Sequence, residues 1–254
     1  MPLPVAMMDP LSLEPAAMRI LTTLALAMFL LAMAPAHAAP DGGYALQMPG
    51  AFHGGEPVAL HGEAWLALVV DGQGARLEEV VLSVLPVHDP LVDAVGEQSG
   101  FEVGADGVEA LAFLRGPDLV AGPVRLDLPE PVGMVPGLKL WLDPQHTAIL
   151  GLECSVFDGV PGSGSCFVGM SDDMQSITLA EVPATVTSGG TLLLGDDGRV
   201  EVLFAGDLNG DGATDLLIDV SMHYNLVRPV LFLTQPDGNH ISPVQVAEYE
   251  SVGC

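Results

Sequence analysis

The feature that most limits how this chain folds is its punctuation. From about residue 40 onward, short apolar segments are cut off by Gly, Pro and Asp before they establish a helical period. Ala64–Val70, Val80–Val84, Val124–Leu128, Leu138–Leu142 and Val200–Phe204 are such segments. In Val124-Arg125-Leu126-Asp127-Leu128 apolar and polar residues alternate, which sends them to opposite faces of a strand and marks a half-buried antiparallel sheet. Asp71-Gly72, Asp106-Gly107, Asp197-Gly198 and Asp237-Gly238 stand between segments and supply the positive-φ positions of tight hairpins. The expected fold is all-β, with antiparallel sheets in a sandwich-like arrangement. Val108–Leu114 dissents, since it also suits a short helix ended by Gly116-Pro117. Residues 116–137 and 185–190 are the candidate linkers. Residues 39–185 then form a β-rich domain and residues 186–254 a second β region, separate from the first or continuous with it.

Ahead of these segments lies sequence of another kind. Ile20–Met33 is an almost unbroken apolar run of about 14 residues, the length of a signal-peptide core and short for a bilayer span. Arg19 precedes it, and Ala36 and Ala38 follow with the A-x-A spacing that signal peptidase reads. Cleavage is expected after Ala38. Met18 is then a natural start, because the Pro-rich prefix 1–17 carries Asp9 and Glu14 where a leader is normally basic. The alternative is an uncleaved anchor. The absence of a Cys just after the small residues argues against a lipidated form. The protein is expected to be secreted or periplasmic, without membrane insertion once the leader is removed.

The formal net charge is −26, to which the leader and its prefix contribute only one Arg and two acids. Such a surface repels phosphate backbones, because binding through counterion release needs clustered Lys and Arg. Nucleic acid is thereby excluded as a partner and cations are favoured. The acids are scattered among Val, Leu and Ile, and 49% of the residues are hydrophobic, so a packed core is expected rather than a disordered acidic tail. Of the three cysteines, Cys154 and Cys166 flank a Gly/Pro/Ser-rich loop able to close in the oxidising conditions an exported chain meets. Cys154–Cys166 is the expected disulfide, with Cys254 as the odd thiol and Cys166–Cys254 as the rival pairing.

The chemistry concentrates in Asp207-Leu208-Asn209-Gly210-Asp211-Gly212-Ala213-Thr214-Asp215. Side-chain oxygens recur at Asp207, Asn209, Asp211 and Asp215, and Ala213 offers its backbone carbonyl. Calcium takes about six to eight such oxygens, whereas zinc recruits Cys or His and magnesium keeps more water. Gly210 and Gly212 allow the sharp turns that bring alternate side chains inward. Ile218 stands where an EF-hand places its bidentate Glu, and the flanks Glu201–Ala205 and Leu216–Val220 read as strands. The loop is therefore expected at the tip of a β-hairpin, with Asp215 as the bidentate closer. The competing reading is an acidic turn that binds nothing.

Phe204-Ala205-Gly206 running into this loop, with Asp215-Leu216 after it, resembles an FG-GAP repeat, the calcium-binding hairpin of integrin-type propellers. The resemblance implies that Asp207, Asn209, Asp211 and Asp215 ligate calcium through side chains and Ala213 through its carbonyl. One repeat does not imply a propeller, which stacks several. Asp219-x-Ser221-x-His223-Tyr224-Asn225 and the terminal Val252-Gly253-Cys254 further resemble the ends of single-repeat secreted bacterial proteins of unassigned activity.

Other constellations are weaker. His53, Glu56, His61 and Glu63 are zinc-ligand types, but H-E-x-x-H is absent and glycines separate them. His88-Asp89-Pro90 reads as a turn. Asp219, Ser221 and His223 alternate along one strand face, each about 7 Å from the next, too far apart for a triad; Asp219 suits an outer partner of the ion. Gly162-Ser163-Gly164-Ser165-Cys166 lacks the strand-then-helix setting of a nucleophile elbow. Trp65 and Trp141 read as core. The leading function is an exported, non-enzymatic calcium-binding module with a cell-envelope or extracellular protein partner. The alternative is a metal-dependent hydrolase whose calcium is only structural. The leader makes the first testable point: after export the mature chain begins at Ala39, which N-terminal sequencing checks, whereas a product retaining Ile20–Met33 identifies an anchor.

Overall fold

A computed structural model describes residues 43–142, 148–156, 162–172, 175–187, 192–237 and 240–253. Among them the first strands are β1 (Ala45–Gln47), β2 (Gly50–Phe52), β3 (Ala64–Asp71), β4 (Gly74–Val81), β5 (Ser83–Val87), β6 (Gly100–Gly104), β7 (Ala112–Arg115), β8 (Gly122–Leu126), β9 (Val132–Gly133) and β10 (Lys139–Trp141). There follow β11 (Ile149–Val156), β12 (Ser163–Ser171), β13 (Ser176–Val186), β14 (Leu192–Leu194), β15 (Glu201–Asp207), β16 (Asp215–Asp219), β17 (Leu226–Val227), β18 (Pro229–Asp237), β19 (His240–Glu248) and β20 (Ser251–Val252). The protein is all-β: among the described residues there is no helix, and none long and apolar enough to cross a membrane.

A ten-stranded antiparallel sheet runs in the order β1-β7-β3-β4-β8-β15-β16-β18-β19, with β9 also on β15. Its end strands β1 and β19 approach each other, so it curls nearly into a barrel. Strands from both 39–185 and 186–254 contribute to it. Inside the curl lie Leu68, Leu77, Leu114, Leu217, Leu231 and Tyr249. On one outer side, Leu150, Leu152, Val168 and Met170 of the sheet β10-β11-β12-β13-β14 pack on Val202, Ile218, Val230 and Phe232. On another, the small sheet β2-β6-β5 covers Trp65, Ala67, Val69 and Phe113.

This layering explains which strands alternate and which do not. β12 alternates buried with half-buried residues from Cys166 onward, whereas every residue of β16 is buried, because Leu217 faces the inner core while Leu216 and Ile218 face the outer one. The same two-sided burial corrects the helix allowed for at Val108–Leu114. Ala112–Leu114 lie in β7, with Leu114 turned to the inner core and Phe113 to the outer one. The linker expected over 116–137 likewise holds β8 and β9, and Thr185 and Val186 end β13, while residues 188–190 lie outside the described residues. Trp65 is core, but Trp141 is not, being 51% exposed.

Cys154 and Cys166 stand opposite each other on β11 and β12 and are disulfide-bonded; Cys254 lies outside the described residues. Leu217→Ala, at a site with no exposure, lowers stability by about 3 kcal/mol through the cavity it leaves between strands unable to collapse. Leu193→Ala, on the exposed side of β14, changes it by about 0.5 kcal/mol or less. Urea unfolding of the two variants checks the contrast.

Candidate metal centre

Hairpin β15–β16 lies within the main sheet, and its register sets Gly206 opposite Asp215 at the mouth of the connecting loop. Gly206 also pairs with Leu126 of β8, where a Cβ would stand 2.0 Å from the Arg125 carbonyl oxygen, so this close approach of β15 to β8 requires glycine. Leu208 is buried in the inner core and pins the first turn of the loop. Gly210 and Gly212 take positive φ, 77° and 90°, as the sequence requires of them.

The loop holds Asp207, Asn209, Asp211, Ala213 and Asp215 in one short arc, with the side-chain oxygens of Asp207, Asn209 and Asp211 directed at the loop's own amides. Asp207 accepts the Gly210 amide on Oδ1 at 2.8 Å and the Gly212 amide on Oδ2 at 2.9 Å. Asn209 Oδ1 accepts the Asp211 amide at 3.1 Å, and Asp211 Oδ1 the Ala213 amide at 2.8 Å. Asp215 has no exposed surface. Its oxygens accept the amides of Leu208 and, from β18, of Thr234, both at 2.8 Å. Burial pushes the Asp215 carboxyl up to about 7; the two amides oppose this, and the charges of Asp211 and Asp207 add to it. Among the described residues no three His, Cys, Asp or Glu side chains converge on one point as metal ligands.

Sequence reasoning missed the cation beside this loop. Arg125 of β8 stands opposite Asp207 in the ladder. Its Nε and Nη2 each donate to Asp127 at 2.9 Å, Nη1 donates to the Gly212 carbonyl at 2.9 Å, and Nη2 donates to the Ala213 carbonyl at 3.1 Å. Thr214 Oγ1 accepts from Nη2 at 3.0 Å and donates to Asp127 at 2.8 Å. Arg125 and Asp127 were legible as polar neighbours on one strand face. The contact with residues 87 to 89 positions onward was not, since it depends on the β8–β15 pairing.

The donor set fits calcium by its chemistry: three carboxylates, an amide and a carbonyl, all hard oxygens with further lone pairs, and no nitrogen or sulfur ligand. The guanidinium on the Gly212 and Ala213 carbonyls is a positive charge standing where these oxygens favour one. The chain matches no family model, no curated protein and no solved structure.

The other constellations resolve into structural roles. Glu56 accepts the His53 amide and Ser251 Oγ on Oε2 and the Val252 amide on Oε1, while Glu63 accepts the Leu60 amide and Trp65 Nε1. His61 Nδ1 accepts the Val84 amide, so the four are not gathered about one ion. Asp89, in the expected turn, accepts the Leu91 amide. The strand β16 ends at Asp219, and beyond it Ser221 Oγ donates to Asp219, so the two side chains meet although a flat strand would hold them about 7 Å apart. His223 turns instead to Asp196, at 3.0 Å, and to Asn225, so the triad fails for this reason and not for the spacing argued from sequence. Asp219 is tied to Arg199 at 2.8 Å rather than serving the loop. Gly164 and Ser165 lie within β12, an antiparallel strand and no elbow.

His53 Nδ1 lies 2.5 Å from Asp89 Oδ2. The bond raises the His53 pKa above 6.5 and holds the Asp89 carboxyl below 3.8. A raised histidine stabilises the fold fully below 6.5 and ceases to do so as pH rises through its folded pKa; the lowered carboxyl ceases to do so as pH falls through its own. Stability measured by urea unfolding therefore declines as pH rises beyond 6.5, and His53→Gln flattens that limb; an unchanged slope in the variant refutes the assignment.

Proposed function

We propose that this is an exported calcium-binding β protein, a non-enzymatic structural or interaction module in which one ion fixes the β15–β16 hairpin. The observation that supports it is the setting of Asp215. A fully buried carboxyl sits beside Asp207 and Asp211, both of which disfavour its ionised form, within a loop of oxygen donors alone. A divalent cation relieves that repulsion, since it favours the charged form of every carboxylate around it. Asp207, Asn209, Asp211 and Asp215 would hold the ion through side-chain oxygens and Ala213 through its carbonyl. It would thereby cross-link the two strands at the loop mouth.

The resemblance to a single FG-GAP hairpin, the leader ending at Ala38 and the acidic surface support the same reading. Calcium is abundant outside the cytoplasm, where a loop of modest affinity is filled. A cell-envelope or extracellular protein is the partner class that suits such a module.

Calcium alone is the probe. With a Kd of about 10⁻⁴ M, in the range of extracellular modules, about 2 mM calcium adds about 1.8 kcal/mol of stability, seen as a rise in Tm that a chelator reverses. Asp211→Ala, at an exposed loop position, removes the calcium response. If neither calcium nor chelator moves the wild-type transition, the reading is wrong.

A further inference from the structure

Arg125 does more than neutralise Asp127. Its fork reaches past that carboxylate to the carbonyls of Gly212 and Ala213, at 2.9 and 3.1 Å, and Nη1 lies 3.8 Å from Asp207 Oδ2. The Ala213 carbonyl is the backbone ligand expected of the loop, and Asp207 is its first carboxylate. The guanidinium is held there firmly. It meets the Asp127 carboxylate through two parallel bonds, and the Asp127 side chain, only 2% exposed, is braced by Thr214. β8 is also paired with β15 at Leu126–Gly206 and Arg125–Asp207, where Gly206 lets the two backbones lie close.

We propose that Arg125 is a tethered cation of the calcium loop, which keeps the loop in its folded shape when calcium is scarce and lowers its calcium affinity when calcium is present. This rests on the calcium reading. Two physical effects act together: a fixed positive charge beside Asp207 repels a divalent ion, and the hydrogen bond to Ala213 draws on the carbonyl that the ion needs. By linkage, calcium must weaken the hold of Arg125 on the loop by the same factor as Arg125 weakens calcium. The protein then keeps a formed hairpin in either condition and answers to calcium at higher concentration than an unopposed cluster of carboxylates.

Arg125→Gln removes the charge but keeps donors. Because it strands Asp127, Arg125→Gln/Asp127→Asn is the second variant, with Asp127→Asn alone as its control. Calcium binding is followed by isothermal titration, and Tm is measured in chelator. Without Arg125, calcium binds about tenfold tighter, within the usual span of coupling between two sites, and Tm in chelator falls further for the double variant than for Asp127→Asn. A purely structural brace predicts the opposite sign, calcium binding weakened along with stability. If wild type binds calcium and both Arg125 variants bind it equally or more weakly, this proposal fails and the calcium reading stands. If neither wild type nor variants take up calcium, the calcium reading itself fails and carries this proposal with it.

Discussion

The rest of this structure depends on burying both faces of the strands β15, β16 and β18. Side chains that alternate along a strand must go to opposite faces, so a run such as Leu216-Leu217-Ile218 is stable only if apolar layers lie on both sides. The fold meets this by curling the main sheet around Leu68, Leu114 and Leu231 and laying the disulfide-bonded sheet over Val202, Ile218 and Phe232. The curl and the outer layers are consequences of one requirement. It also accounts for the absence of any helix among the described residues, since the covering is done by sheets.

Placing a loop at the end of a strand buried on both sides creates an electrostatic problem at its mouth. Asp215 begins β16, has no exposed surface and lies near two further acids. Backbone amides from two directions, Leu208 and Thr234, hold it, and charged hydrogen bonds of this kind offset part of the desolvation cost. Arg125 stands at the side of the loop, bound to Asp127 and to the Gly212 and Ala213 carbonyls, and its single charge leaves the loop's carboxylates in excess. That excess is the physical motive for a cation. On the reading proposed above, Arg125 sets the terms on which one enters.

The outer layers fasten the chain in a different way. Glu56, near β2, accepts from Ser251 and Val252 of β20, tying an early loop to the last described strand. Asp89 and Asp93 turn their carboxylates inward onto backbone amides of the loop after β5, which leaves Leu91, Val92 and Val95 facing outward. In a protein this acidic, many carboxylates are spent as caps of this kind and contribute local shape rather than chemistry.

How much of this was legible depends on the range of the interaction. Period-two alternation and Asp-Gly turns are local, so the all-β fold, the hairpin after Glu201 and the Cys154–Cys166 pairing could be read from residues close in sequence. The loop's donor residues were likewise visible, because oxygen donors and turn glycines recur at fixed spacing within it. Val108–Leu114 was ambiguous because a short apolar run suits helix and buried strand alike, and only the layers on both sides of Phe113 and Leu114 decide it. Trp141 was misplaced for the related reason that apolar character does not say which sheet face a neighbour covers. By itself the sequence determined the strands, the turns and the oxygen-rich composition of the Asp207–Asp215 loop, since these follow from backbone geometry and side-chain type. The tertiary structure alone decided that Asp215 is buried and that Arg125 stands against Ala213, because both depend on which strands lie beside β15 and β16, and that pairing joins residues far apart in the chain.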